Sequence, residues 1–278
     1  MARRRFVAPT REAVDPAVFD HPAFAPYTAH RDLLVAREWP TIDTLNERLG
    51  ERAHPASAAP LRFVAQSAAL LADGLHYERR ILERGAIATR ERNWHDLLNA
   101  LIWLEQTPLK TAMNARQVAD LDRAVGANGR TRTQDALTQF DEAGAIVTVH
   151  DVAVVASWDR HDWRALFAGH RDAWLDRRID VVIVGHALLE HLLVARDDLV
   201  AKCVVAIGAA AAERIGASIE GGALLTDPAE ARPLPLCGIP GWHRDNAEPR
   251  FYVERACFAP ARSGQGVRAR GRVLTTSC

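Results

Sequence analysis

The chain has 278 residues, 48% of them hydrophobic and 25% charged, with 35 Lys and Arg against 35 Asp and Glu. That length can bury a sizeable core in one large domain or two small ones, and the usage is that of an ordinary globular protein. Zero formal net charge argues against a dedicated nucleic-acid binder, which carries a basic excess, and leaves open only a local basic groove.

The four cysteines are Cys203, Cys237, Cys257 and Cys278. None stands in a C-x-x-C pair, and no histidine has zinc-finger spacing to two of them, which argues against a structural zinc site. Cys203, in the apolar run Cys203-Val204-Val205-Ala206-Ile207, reads as core filler, and reduced thiols in a cytosol are expected. The basic start Met1 to Phe6 lacks the apolar stretch of a signal peptide. No run reaches ~18 apolar residues, so a transmembrane span is excluded and a cytoplasmic protein without a membrane partner is expected.

In chain order, Thr41 to Leu49 predicts a short helix, capped by Thr41 or Asp43 and stopped by Gly50. Residues 54–60 form a linker. Leu61 to Ala65 alternates as a half-buried strand does. Tyr77 to Leu82 and Ala86 to Arg90 flank Glu83-Arg84-Gly85, which fits a hairpin, with a helix through 66–84 as the alternative. Asn93 caps a helix running from Trp94 to about Gln106, with Asp96 in its first turn. Thr107 caps a second helix, with Pro108 at its first position, which continues to about Val125 and stops in Gly126-Ala127-Asn128-Gly129. With almost no linker between them, these two helices turn sharply against each other. Leu137 to Asp141 and Ala145 to Val149 enclose Glu142-Ala143-Gly144 and read as a second hairpin. A helix is expected over His161 to Arg178, with Trp163, Leu166, Phe167, His170 and Trp174 on one face. Val181 to Leu193 is either a buried helix or a strand ending at Gly185 followed by a helix. Ala201 to Gly208 predicts a strand and Ala209 to Ile219 a helix. From Arg232 onward, Pro233, Pro235, Pro240 and Pro249 imply a surface-wrapping segment without regular structure. The expected class is α+β: a single globular domain over 1–262 with a helical hairpin core, β-hairpins and a Pro-rich C-terminal wrapping segment, then a disordered tail over 263–278.

Several ordered blocks carry a resemblance. They are Tyr77-Glu78, Arg80-Ile81, Gly85, Thr89-Arg90, Asn93 to Leu97, Asn99-Ala100-Leu101, Trp103, Pro108, Lys110 and Asn114. Further on come Asp135 to Thr138, Phe140-Asp141-Glu142, Gly144, Gly185 to Glu190, Pro233-Leu234-Pro235, Gly238 to Trp242 and Phe251-Tyr252. Over roughly residues 60–260 the pattern resembles a bacterial family known only as a domain of unknown function, number three thousand and twenty-five. Two positions depart from it: Thr107 stands in place of an aromatic residue, and Ala195 in place of a proline. The resemblance implies a bacterial protein that is soluble and a single domain, and brings no activity, cofactor or partner with it.

Chemically able side chains concentrate between Asn93 and Asn114. On a helix, Asn99 lies one turn after His95 and Asp96, and Trp103 one turn after Asn99, which places an imidazole and a carboxylate beside an amide. Equally, Asp96 can serve as a helix-end carboxylate, with Trp94 and Trp103 as core. Lys110 and Asn114, with Gln117 beyond them, form a stripe able to face that of the first helix and stabilise negative charge. Asp141 and Glu142 suit a turn; Asp135 or Asp141 also suits orienting an imidazole or binding a hard metal. His186 and Glu190 share a helix face. His186 and His191, five apart, lie roughly 140° around a helix, so the inverted zinc-protease motif is rejected. Trp242 and Asp245, in a Pro/Gly-rich loop, are placed as a pocket lip.

No dinucleotide, P-loop, nucleophile-elbow or H-E-x-x-H motif occurs. The favoured reading is a small-molecule enzyme, hydrolase- or lyase-like. It uses His95 with Asp96 or Asp141 as acid and base, or a metal held by some of His95, Asp141, His186 and Glu190. Asn99, Trp103, Lys110, Asn114, Trp242 and Asp245 would bind the ligand. Cofactor, metal and oligomeric state are not specified by the sequence. If the His95 and His186 side chains lie more than ~10 Å apart, the joint site fails. A non-catalytic scaffold is the alternative. A nucleic-acid-associated protein requires Arg79, Arg80, Arg84, Arg90, Arg92, Arg116, Arg123, Arg130 and Arg132 to form one patch.

Overall fold

The computed structural model describes residues 6–123, 129–208, 211–260 and 273–274. The first described residues form 3₁₀ turns between Arg11 and His30, where Pro16, Pro22 and Pro26 fix φ, followed by α1 (Arg31–Val35). This segment is part of the core: Phe19, Phe24 and Tyr27 are buried. The Tyr27 hydroxyl donates to the Ile183 carbonyl at 2.5 Å. The Arg11 guanidinium stacks on Trp39 and Trp94, at 4.6 and 5.0 Å from their ring centres.

Helix α2 (Ile42–Leu49) forms as its caps require. The Thr41 hydroxyl accepts from the Thr44 amide at 3.1 Å, and Gly50 ends the helix at φ +63°. Next come β1 (Arg62–Ala65), α3 (Ala68–Leu71), α4 (Tyr77–Arg84) and β2 (Ala86–Thr89). The hairpin expected around Gly85 is replaced by a parallel β1–β2 pair, Arg62 opposite Ala86, joined through helices as parallel strands require. Gly85 is the left-handed C-cap of α4, at φ +64°, and a Cβ there would sit 1.9 Å from the Pro60 carbonyl oxygen.

Helix α5 (Trp94–Glu105) begins at Asn93, whose side chain accepts from the Asp96 amide at 3.0 Å. It is buried nearly all round and forms the centre of the molecule. Helix α6 (Thr107–Arg123) follows after one residue. Thr107 lies within its first turn. Its hydroxyl donates back to the Trp103 carbonyl and accepts from Arg52, so it ties the two helices together. The expected stop over 126–129 lies outside the described residues except for Gly129.

The second expected hairpin is also corrected. α7 (Arg132–Ala143) runs directly into β3 (Gly144–Val149). A capping box between Thr131 and Gln134 starts the helix, and Ala136, Leu137 and Phe140 bury one face. Asp141 and Glu142 therefore lie in a last helical turn, not at a loop tip. α8 (Ala153–Asp159) follows, and the single helix expected over 161–178 is broken into a π turn over Ala165–Gly169 and α9 (Arg171–Leu175). The break keeps Leu166, Phe167 and Trp174 buried and lets the Trp174 indole donate to the Leu166 carbonyl at 2.9 Å. Then follow β4 (Ile179–Ile183), α10 (His186–Leu192), β5 (Val200–Ile207), α11 (Ala211–Glu220), β6 (Arg232–Pro235) and α12 (Phe251–Glu254).

The larger sheet has the order β4-β3-β5-β6, with β3–β5 parallel and the outer pairs antiparallel. Pro233 and Pro235 thus stand in a strand, contrary to expectation. β6 is at the sheet edge, where a missing N–H is tolerated. Most of the expected tail lies outside the described residues. Within it Val273 and Leu274 are described, and Leu274 accepts from the Ile207 amide at 2.9 Å and donates to the Val205 carbonyl at 3.2 Å. The class is α+β in a single compact domain, but each strand pair is joined through helices rather than by a hairpin. Among the described residues, no helix is long and apolar enough to cross a membrane.

Candidate functional site

Two chain junctions build the site. Where α7 passes into β3 and where β4 passes into α10, Gly144 and Gly185 pack backbone to backbone. A Cβ on Gly185 would lie 2.4 Å from the Gly144 nitrogen and 2.5 Å from the Ala143 Cα. The amides of Val184 and Gly185 both donate to the Gly144 carbonyl at 2.9 Å. This contact sets the last turn of α7, with Asp141 and Glu142, against the first residue of α10, His186. The first turn of α5 supplies His95 from the opposite side.

The two imidazoles meet. His95 Nε2 and His186 Nε2 are 2.9 Å apart, with their ring planes at 85°. His95 Nδ1 faces Glu190 Oε2 at 3.1 Å, from one turn further along α10. His186 Nδ1, buried and without a hydrogen-bond partner, faces Asp141 Oδ2 at 3.7 Å. Glu142 Oε2 lies 3.7 Å from His186 Nε2. Donor atoms of His95, Glu142 and His186 all fall within 4.8 Å of one another, a grouping able to hold a metal ion.

Around this centre is a cavity of about 270 Å³. Lys110, 6% exposed, lies on its wall, donating to Asn99 at 2.9 Å and to Asp141, with its ammonium 5.4 Å from the Trp103 ring centre. Asn114 donates to the Glu78 carbonyl at 2.9 Å and to its carboxylate at 2.6 Å. Asp96 accepts the Arg90 guanidinium, at 2.7 Å to Oδ1, and the Arg90 amide, and so anchors the loop before α5.

The electrostatics follow the contacts. The Glu190 carboxylate raises the His95 pKa against its burial. Burial pushes His186 down to about 4 and raises Glu142. Burial opposes ionisation of Asp141, but Lys110 and His186 outweigh it and hold that carboxyl below its usual range. Glu78 is pushed up to about 7 by burial, with the Asn114 hydrogen bond opposing.

His95, Asp96, Asn99, Trp103, Lys110, Asn114, Asp141 and His186 all line this one cavity, with Glu190 directly behind His95. Trp242 and Asp245 do not. Trp242 packs edge-on against His21 at 5.1 Å and lines a separate cavity of about 790 Å³, while Asp245 is exposed beside His243. Asp135 pairs with Arg130 at 3.1 Å, and the His191 ring packs on Phe6 at 4.1 Å, away from His186. Six of the nine central arginines, 79, 80, 84, 90, 130 and 132, are ion-paired with aspartates, Arg80 and Arg84 sharing Asp73, so most of this charge is balanced where it stands. Glu142, whose carboxylate joins the two imidazoles, and Glu78, an acid on the cavity wall, are not singled out as site residues by the sequence. The Thr131-x-x-Gln134 capping signature, read as a helix start, would have carried α7 through Asp141 and Glu142.

An α+β domain with a histidine-carboxylate cavity at two helix–strand junctions is thus the class of protein. The chain belongs to the family described as protein of unknown function (DUF3025), whose model matches residues 61–262 and encloses every residue of the cavity. No curated protein and no solved structure matches the chain.

Proposed function

We propose that the cavity is the active site of a metal-assisted hydrolase for a small polar substrate, with His95, His186 and Glu142 holding a divalent first-row ion. One observation carries this reading: both imidazoles turn Nδ1 toward carboxylates, Glu190 at 3.1 Å and Asp141 at 3.7 Å, and Nε2 toward each other at 2.9 Å. A ring that offers Nδ1–H to a carboxylate, as His95 does to Glu190, presents a lone pair at Nε2, and a carboxylate facing Nδ1 of His186 favours the same tautomer there. Two such lone pairs repel unless a positive centre lies between them. The 2.9 Å separation is also short enough for both nitrogens to reach one ion. Two histidines and one carboxylate leave coordination positions open, as catalytic centres do.

When bound, the ion supplies Lewis acidity toward a carbonyl and an attacking water. Glu190 fixes the His95 ring by a hydrogen bond, and Asp141 faces the His186 ring across 3.7 Å. Lys110, held by Asn99 and Asp141, stabilises negative charge developing on a substrate oxygen. Glu78, pushed up to about 7, is part-protonated at neutral pH and suits proton donation to a leaving group. The volume of about 270 Å³ restricts the substrate to a small molecule.

The same 2.9 Å contact also fits a metal-free acid–base pair in which one proton is shared. Metal analysis and ligand-retention mass spectrometry of the purified protein, beside His95→Ala, separate the readings. A stoichiometric metal lost in the variant supports the hydrolase. A retained organic ligand without metal, also lost in the variant, supports the acid–base pair. Wild-type protein that carries neither, and takes up neither, favours a scaffold.

A further inference from the structure

Cys237 and Cys257 lie outside the cavity and are not used by that mechanism. Cys237 is in the turn after β6 and is 5% exposed; Cys257 is in the turn after α12 and is part-exposed. Their sulfurs are 3.7 Å apart. Cys203, by contrast, is fully buried in β5, where burial raises its pKa.

We propose that Cys237 and Cys257 form a reversible disulfide, with Cys257 as the attacking thiol, Cys237 as the resolving thiol and a low-molecular-weight disulfide such as oxidised glutathione as the oxidant. Three features of the pair support this. The sulfurs need to approach by under 2 Å, from 3.7 Å to about 2.05 Å. Exposure differs in the direction a redox pair requires, the attacking sulfur reachable and the resolving one sheltered behind it. The Cys237 hydrogen bond lowers the Cys257 pKa, helped by nearby Arg255, while the same hydrogen bond and burial raise that of Cys237.

The exchange balances. The Cys257 thiolate attacks one sulfur of the glutathione disulfide; a Cys257–glutathione bond forms, the glutathione S–S bond breaks, and one glutathione thiolate leaves. Cys237 then loses its proton and attacks the Cys257 sulfur, forming the protein disulfide and releasing the second glutathione. Two protein thiols are oxidised and one glutathione disulfide is reduced to two thiols, which take up both protons. The product closes the loop 237–257, which carries Trp242 and His243 on the wall of the 790 Å³ cavity. Oxidation therefore pins that wall.

The test treats reduced full-length protein with oxidised glutathione, then alkylates, digests and maps it. The expected result is a mass loss of about 2 Da, a linked Cys237–Cys257 peptide reversed by dithiothreitol, and Cys203 left free. Cys237→Ser is expected to hold a stable glutathione adduct on Cys257. Cys257→Ser is expected to react roughly 10-fold or more slowly than that variant. A persistent glutathione adduct on wild-type Cys257, the absence of any linked peptide, or preferential reaction at Cys203 would overturn the proposal.

Discussion

His95 and His186, 91 residues apart in the chain, touch through their Nε2 atoms at 2.9 Å. Neither belongs to a local motif. The contact exists because the β4–α10 junction is pressed onto the α7–β3 junction, and because Glu190 and Asp141 stand behind the two rings.

If Glu190 orients His95 as a ligand, Glu190→Gln keeps the shape and weakens the polarisation. Affinity for a divalent ion, followed by titration calorimetry, is expected to fall about 10–100-fold, with the fold unchanged by circular dichroism. Unchanged affinity would remove Glu190 from the centre.

Gly185 has no space for a side chain, since a Cβ would lie 2.4 Å from a backbone nitrogen. Gly185→Ala is expected to cost about 1–3 kcal/mol or more in urea unfolding, and to impair metal binding by moving His186. A variant as stable as wild type would mean that the two junctions separate easily.

These residues show what could be read in advance. The Asn93 cap and the Thr41 and Gly50 boundaries depend on neighbours in sequence, and the chain states them directly, while α6 starts one residue before the expected Pro108. The co-location of His95, Lys110, Asp141 and His186 was legible as a list of polar residues in apolar segments. What joins them was not, because Gly85 and Gly144 look like hairpin glycines. One is instead a helix C-cap against Pro60, and the other a helix–strand junction against Phe140. Helix α7 was lost with that reading, and Glu142 with it. The prolines of β6 misled for a similar reason: edge position, which only the tertiary fold defines, makes them tolerable.

Lys110 neutralises Asp141 at a largely buried position. Lys110→Met leaves that carboxylate facing the cavity without its cation. A loss of about 1–3 kcal/mol is expected, partly restored by adding Asp141→Asn, as a double-mutant cycle in denaturant would measure. Additive effects would deny the coupling.

Glu78 binds its proton in the folded state up to about pH 7, whereas its unperturbed value is 4.5. Between these values the native state holds a proton that the unfolded chain has released, so this group's contribution to stability falls as pH rises through that window. Glu78→Gln is expected to flatten the pH dependence of the melting temperature between about 4.5 and 7, with its largest relative gain above pH 7. An unaltered profile would place the Glu78 carboxyl in solvent.

The most direct test of the proposed metal centre is the divalent-metal content of chelator-stripped, zinc-reloaded protein after desalting, for wild type, His186→Ala and Glu142→Ala. About one ion per wild-type chain is expected, and well under a tenth of that in His186→Ala, with Glu142→Ala in between. Equal metal in all three proteins, or none in the wild type, would contradict it.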